Sequence, residues 1–387
     1  MRPYRLSLAL AATCAVLVLG TVVGLIVLWP GDYQDRFPNA QQLPTVDAFT
    51  AGVVEVPCQD PFSTRCARVR FEISEGPDEG EEVELAMADT IPDPGDRVRL
   101  FKVDIPPDVE VDPNVQPYSF ADFERRGTML GLALAFCGAV VALGRWRGLR
   151  ALIGLGASLA VVLFFIVPAI LDGKSPVGVA IVGALAVMVA TMAFAHGIGP
   201  KTIAASLGTA VSLLLTVGLA VGFTEFAHLS GFSSEEAAYL RVNATGISLE
   251  GLVIAGMVIA ALGVLDDVTI SQASTVLALH QANPQQGFGV LFGRALNVGR
   301  DHIAATVNTL VLAYAGASLP ILLVFSVGNA SFGTAINGET VAQNVVAMLV
   351  GSIGLVAAVP VTTALAAVLA ARLPPSDLRF EAPGHAH

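Results

Sequence analysis

Eight long apolar runs constrain this chain more than any other feature. They lie near Leu6–Leu28, Thr128–Leu143, Leu149–Leu171, Val177–Phe194, Thr202–Phe223, Ile247–Leu265, Ile303–Val327 and Val345–Ala371. Each is close to the ~20 residues a helix needs to cross a bilayer core, allowing for tilt. In lipid the backbone must satisfy its own hydrogen bonds, which a helix does within one segment. The expected fold is therefore an α-helical polytopic membrane protein of about eight transmembrane helices. Composition agrees: 54% of the 387 residues are hydrophobic and only 14% charged, too apolar for a soluble protein of this length. The first partner implied is the lipid bilayer.

The first run follows Arg2 and Arg5 and ends in Trp29-Pro30-Gly31. It exceeds the ~7–15 residue core of a signal peptide and has no Ala-x-Ala, so it reads as an uncleaved anchor. Gly20 and Gly24 have GxxxG spacing, which is either a close-packing face or chance in a glycine-rich chain.

Composition changes abruptly between Asp32 and Arg126, where the chain turns polar, acidic and proline-rich. Alternating runs at Thr50–Val56, Ala67–Ile73, Glu82–Met87 and Arg97–Val103 predict strands, and turn clusters such as Pro92-Asp93-Pro94-Gly95-Asp96 separate the later ones. This predicts a small extracytoplasmic all-β domain inserted after the first helix, a compact barrel or OB-like unit. The prolines of 105–117 suggest an extended tether back to the membrane. The expected domains are a membrane anchor (1–31), an acidic β domain with its tether (32–126), a seven-helix membrane domain (127–373) and a cytoplasmic tail (374–387). The formal charge of −11 is concentrated in the β domain and misdescribes the rest. Cys58 and Cys66 flank a turn-like stretch there, and either form a disulfide or remain two free thiols. Cys14 and Cys137 lie in apolar runs as small hydrophobes.

Short-loop cations set the orientation. Arg2, Arg5, Arg145, Arg147, Arg150, Lys201, Arg294, Arg300, Arg372 and Arg379 fall on one side of an eight-span model. That side is expected to be the cytoplasm, with both termini in it; Arg125, Arg126, Lys174 and Arg241 are exceptions. Lysine is scarce, and Ala, Gly and Val are abundant, which resembles a protein of a GC-rich bacterium. The expected location is the bacterial plasma membrane. No Lys/Arg-rich tract of the nucleic-acid type occurs. Ser233–Glu236 reads as a capping box opening a short outer helix. Phe288, Leu291, Phe292, Ala295 and Leu296 suggest an amphipathic helix lying on the cytoplasmic face, before the next span.

Asp266 and Asp267 carry the most chemistry, because ionisable residues at membrane depth are costly and usually functional. The helix holding them is expected to run to about His280, since Val268, Ile270, Ala273, Val276 and Leu277 remain apolar. At roughly 100° per residue, Asp267, Ser271, Ser274 and Thr275 share one arc. That arc either lines a cation or proton path with Asp267 as principal ligand, or is a solvated helix end. Asp301 and Asn308 share a face of the next span, with Thr309 in an adjacent stripe, and Asn308 could bond across to the Asp pair. The candidate path is thus Asp267, Asp266, Ser271, Asp301, Asn308 and Thr309. The hydroxyl stripe Thr202, Ser206, Thr209, Ser212 and Thr216 reads as helix packing. Histidines lack metal-ligand spacing, and no Walker A, HExxH or GxSxG motif is present, so no metal, cofactor or catalytic residue is expected.

Four stretches carry a family resemblance. They are Tyr118…Asp122-Phe123-Glu124-Arg125, Gly148–Leu155, Gly251–Gly256 leading to Gly263-Val264-Leu265-Asp266-Asp267-Val268, and Gly299-Arg300-Asp301-His302 running to Asn308–Gly316. The chain resembles the YibE/F-like family of bacterial multi-pass membrane proteins. The resemblance implies no catalytic or ligand residue. In the family pattern the acid matching Asp267 is usual, whereas the position of Asp266 is more often uncharged. The functional expectation is a transporter or permease for an ion or small solute, not an enzyme. The alternative is a non-transport envelope scaffold or factor whose β domain binds an extracytoplasmic protein. Self-association as a homo-oligomer is open under both.

Overall fold

The computed structural model describes residues 3–31, 44–58, 60–102, 117–244, 246–328 and 331–372. The C-terminal tail, and the tether except its last residue, lie outside the described residues. By contacts the chain divides into residues 39–143 and a second unit of residues 1–38 with 144–387. That division falls after Pro38 and Leu143, so the first half of the helix after Arg125 belongs with the strands.

The strand-bearing unit holds β1 (Thr45–Glu55), β2 (Cys66–Ile73), β3 (Glu82–Ala88), β4 (Arg97–Lys102) and β5 (Tyr118–Phe123). Their order is β3-β2-β1-β4-β5, with every pairing antiparallel. β3 also approaches β5, so the sheet curls into a half-barrel. Alternation along β2 explains its faces: Ala67, Val69, Phe71 and Ile73 are buried, while Arg68, Arg70 and Glu72 point outward. With Val83, Val98, Leu100 and Tyr118 these side chains form the core. β5 was not among the expected strands. Its run Tyr-Ser-Phe-Ala-Asp-Phe is short, and its pairing with β4 shifts register at Arg99/Leu100. Cys58 and Cys66 are joined in a disulfide that closes the β1–β2 loop. Asp89 Oδ1 braces that loop by accepting from the Thr64 amide and hydroxyl, each at 2.8 Å. At the other end Arg126 donates to Asp47 Oδ2 at 2.6 Å and pairs with Glu124 Oε2 at 2.7 Å. Hydrogen bonding to Arg126 holds the Glu124 carboxyl at a pKa of about 2.

In the helical unit, α1 spans Pro3–Val27. α2 spans Arg126–Val161, but Arg145 has φ 49° and ψ −131°, so two helices meet there at a kink. A π-helical turn at Val162–Ile166 leads into α3 (Val167–Leu171). α4 (Pro176–Thr191) ends in a second π turn, Met192–His196. Then come α5 (Pro200–Phe226), α6 (Glu235–Asn243), α7 (Leu249–Ala282), α8 (Phe288–Ala317), α9 (Leu319–Val327), α10 (Phe332–Asn337) and α11 (Glu339–Ala370). Among the described residues six helices are long and apolar enough to cross a membrane. The number is seven if α8 and α9, bent by 56° at Ser318, count as one broken span. The run from Arg126 to Leu171 enters that count once, although its 46 residues exceed a single crossing.

α7 is the central helix. It packs against α4, α5, α8 and α11, and α5 and α11 also pack on each other. Small residues permit that density: a Cβ on Gly208 of α5 would lie 2.0 Å from Thr362 Oγ1 of α11. Of the GxxxG pair only Gly24 makes a close approach, to Val182 of α4. Two expectations are corrected. The N-cap of α6 is Ser234, whose side chain accepts from the Ala237 amide, rather than Ser233. Residues 288–296 are no separate surface helix but the first turns of α8, since Leu291, Ala295 and Gly299 are buried in one continuous stripe.

Candidate functional site

α4 and α7 run in the same direction. Pro176 meets Gly251 near their N-termini, and Thr191 meets Asp266 about four turns further along both. Between these helices and the second half of α2 lies a cavity of about 500 Å³. α7 contributes Ile259, Leu262, Gly263, Asp266, Asp267 and Ile270 to its wall. Thr191 Oγ1 donates to Asp266 Oδ2 at 2.7 Å. Asp266 Oδ1 is buried and has no hydrogen-bond partner among the described residues. Its neighbours in the wall include the Thr191 hydroxyl and Asp267. Asp267 is exposed and His196 joins the lining beside it.

Both π turns border this cavity, through Val162 and Ile166 on one side and through Ala195 and His196 on the other. A π turn widens the helix and interrupts its regular hydrogen bonding, and such turns recur at functional sites. Within the second turn, the Phe194 carbonyl accepts from Arg150 Nε at 2.8 Å, tying α2 to the end of α4.

The opposite side of α7 is also polar but closed. Gln272, only 3% exposed, donates from Nε2 to the Ala295 carbonyl at 2.8 Å and to Thr363 Oγ1 at 2.7 Å. Thr269 and Thr209 hydroxyls meet at 2.6 Å. The α5 stripe packs inward, with Ser206, Thr209, Ser212 and Thr216 all buried.

The structure thus redistributes the sequence candidates. Asp266 and Asp267 both line the cavity, and Asp266 is the one held by a partner across it, Thr191. The arc of Asp267, Ser271, Ser274 and Thr275 does not line it as a set. Ser271, Ser274 and Thr275 bond back to carbonyls of their own helix, those of Val268, Ile270 and Ser271. The cavity arc is mostly apolar, so polarity alone does not mark it. Asp301, Asn308 and Thr309 do not line this cavity. All three are exposed on α8, which turns Leu291, Ala295 and Gly299 inward instead. Thr309 only bonds back to the Ala305 carbonyl. Sequence reading missed Thr191 and His196; the one signal for them was a polar pair closing the apolar run of α4. Among the described residues no group of three or more His, Cys, Asp or Glu could hold a metal ion.

The helices of membrane-crossing length and this carboxylate define a membrane protein with an acidic cavity between α2, α4 and α7. Residues 132–372 match the family of YibE/F-like proteins, and the chain belongs to that family. The match includes the Asp266–Asp267 and Gly299 stretches, and stops short of Tyr118–Arg125. The curated proteins and the solved structures hold no match to the chain.

Proposed function

We propose that this protein is a transporter or permease for an ion or small solute in the bacterial plasma membrane, and not an enzyme. The observation that carries the reading is the Asp266 cavity. A carboxylate with an unpartnered oxygen at membrane depth is costly unless a solute, proton or water offsets it. In this reading α2 is two spans meeting at Arg145, and α8 with α9 is one broken span. The bundle then has eight crossings, with the half-barrel outside. The short-loop arginines favour both termini in the cytoplasm.

Cysteine accessibility in membranes tests it, in a background with Cys14 and Cys137 replaced. Single cysteines at Ile259 and Gly263 should react with a small water-soluble thiol reagent. Those at Leu265 and Val268, which pack into the core, should not. Equal protection of both sets would refute a solute path along this face.

A second reading rests on the half-barrel. Its disulfide-closed loop presents Phe62, 91% exposed, on a braced backbone. Rigid aromatic residues are typical anchors of protein interfaces. This favours an envelope factor that binds an extracytoplasmic protein through the β1–β2 loop. Phe62→Ala would weaken such binding and leave solute flux unchanged.

A further inference from the structure

We infer that the Asp266 cavity binds a lipophilic organic monocation, a molecule with one positive centre and an apolar body about 10 Å long. The inference rests on the transport reading only in taking this cavity as the solute site.

The cavity is amphipathic along its length. Thr191, His196, Asp266 and Asp267 lie toward the C-terminal ends of α4 and α7. In the other direction the wall is Leu159, Val162, Ile166, Val187, Ile259 and Leu262. Ile259 and Asp266 are seven residues apart on one helix, ~10 Å of axial distance. A ligand filling the space therefore meets carboxylate at one end and hydrocarbon over the rest.

Charge favours a cation over an anion, because the lining holds two carboxylates and, among the described residues, no lysine or arginine, the Arg150 and Lys201 charges standing beside His196 outside it. Volume disfavours a bare metal ion. The cavity is about 500 Å³, in the range of small-molecule pockets, whereas a water-sized occupant takes ~30 Å³. A neutral apolar molecule would leave the two carboxylates of the lining without a counter-charge. A cationic head beside the Asp266 and Asp267 carboxylates offsets their charge and leaves the Thr191 bond to Asp266 Oδ2 in place. Organic cations need no dedicated ligand cage, which agrees with the lack of a three-ligand cluster among the described residues.

Equilibrium dialysis of the full chain in nanodiscs tests this with two ions of matched shape and opposite charge, tetraphenylphosphonium and tetraphenylborate. The expected result is saturable binding of the phosphonium only, weakened roughly tenfold or more by Asp266→Asn. The introduced amide oxygen would still accept from Thr191, so this variant should keep the fold; unchanged far-UV circular dichroism and gel-filtration profile check that. Leu159→Trp, which fills the apolar end and leaves both carboxylates, should also reduce binding. Equal binding of the two ions, or phosphonium binding indifferent to both variants, would mean simple partition into lipid and would overturn the inference. Proteoliposome flux separates it from the transport reading. Proton or sodium flux that depends on Asp266, without phosphonium binding, would overturn the inference and keep a transporter. Phosphonium binding that depends on Asp266, with no flux of any ion, would keep the site and remove transport.

Discussion

Gly299 offers the sharpest test of how α8 is seated on the bundle. A Cβ built there would stand 2.4 Å from Val359 Cγ1 and 3.0 and 3.1 Å from the Gln272 amide atoms. Carbon–carbon contacts are optimal at about 3.5–4.0 Å, so Gly299→Ala requires a displacement of about 1 Å. Valine cannot readily rotate away, because a β-branched residue in a helix has one strongly preferred rotamer. α8 must therefore move off α11, at a cost of ~1–3 kcal/mol for overpacking. The shift also strains the Gln272 bond to the Ala295 carbonyl; hydrogen bonds between membrane helices average ~0.6 kcal/mol. Val359→Ala removes the methyl that clashes. The double variant should then show a favourable coupling of about 0.5–3 kcal/mol relative to the sum of the single changes. Unfolding of the detergent-solubilised protein by sodium dodecyl sulfate, followed by circular dichroism, measures all four corners of that cycle. A neutral Gly299→Ala, or strict additivity with Val359→Ala, would refute the packing argument.

Three further outcomes are expected. Replacing Cys58 by Ser opens a short loop and should lower half-barrel stability by ~2–3 kcal/mol, read as faster proteolysis between β1 and β2 in the full chain. Glu124 is ionised in the folded unit down to a pKa of about 2, against an ordinary 4.5, so its contribution is fully present above pH 4.5 and is lost as pH falls toward 2. Hydrogen exchange in β4 and β5, corrected for intrinsic rates, should rise over that window, and Glu124→Gln should flatten the rise. Gln272→Leu should cost only about 1 kcal/mol or less in the same detergent titration, because Thr363 still donates to the Val359 carbonyl at 2.6 Å; a loss of several kcal/mol would refute this accounting.

The apolar runs made the helical class legible, because their length is a direct consequence of bilayer thickness. Alternation did the same for β2, whose buried residues are every second one. β5 escaped, since six residues broken by Asp122 carry too little pattern. The bundle's internal arrangement escaped for another reason. In soluble proteins hydrophobicity separates inside from outside, but in a membrane both faces of a span are apolar. Asp301 and Asn308 looked like inward residues because they are polar, yet the stripe that packs is Leu291, Ala295 and Gly299. The polar arc and the family pattern both favour Asp267 over Asp266. Neither reports which neighbour stands opposite, and that neighbour is Thr191, 75 residues earlier in the chain.

Polarity therefore does not distinguish a site from structural glue in this fold, and an unpartnered atom does so only beside a cavity, because Ser212, Thr362 and His280 also keep buried polar atoms without a partner among the described residues. α7 presents polar groups on two sides. Toward α5, α8 and α11, Thr269 and Gln272 find close partners, and the three helices meet at glycines that admit no side chain. Those contacts make that side rigid, since moving any helix would strand buried groups. Toward α2 and α4, Asp266 has one oxygen bonded and one without a partner among the described residues, in the wall of a cavity bordered by two π turns. Removing a satisfied group on the first side should change stability. Neutralising Asp266 should change occupancy of the cavity while leaving stability nearly intact, because Asp266→Asn retains the acceptor that Thr191 needs and sheds an uncompensated charge. If Asp266→Asn instead destabilised the bundle as much as Gly299→Ala, the carboxylate would belong to the scaffold, and the functional assignment of this face would fail.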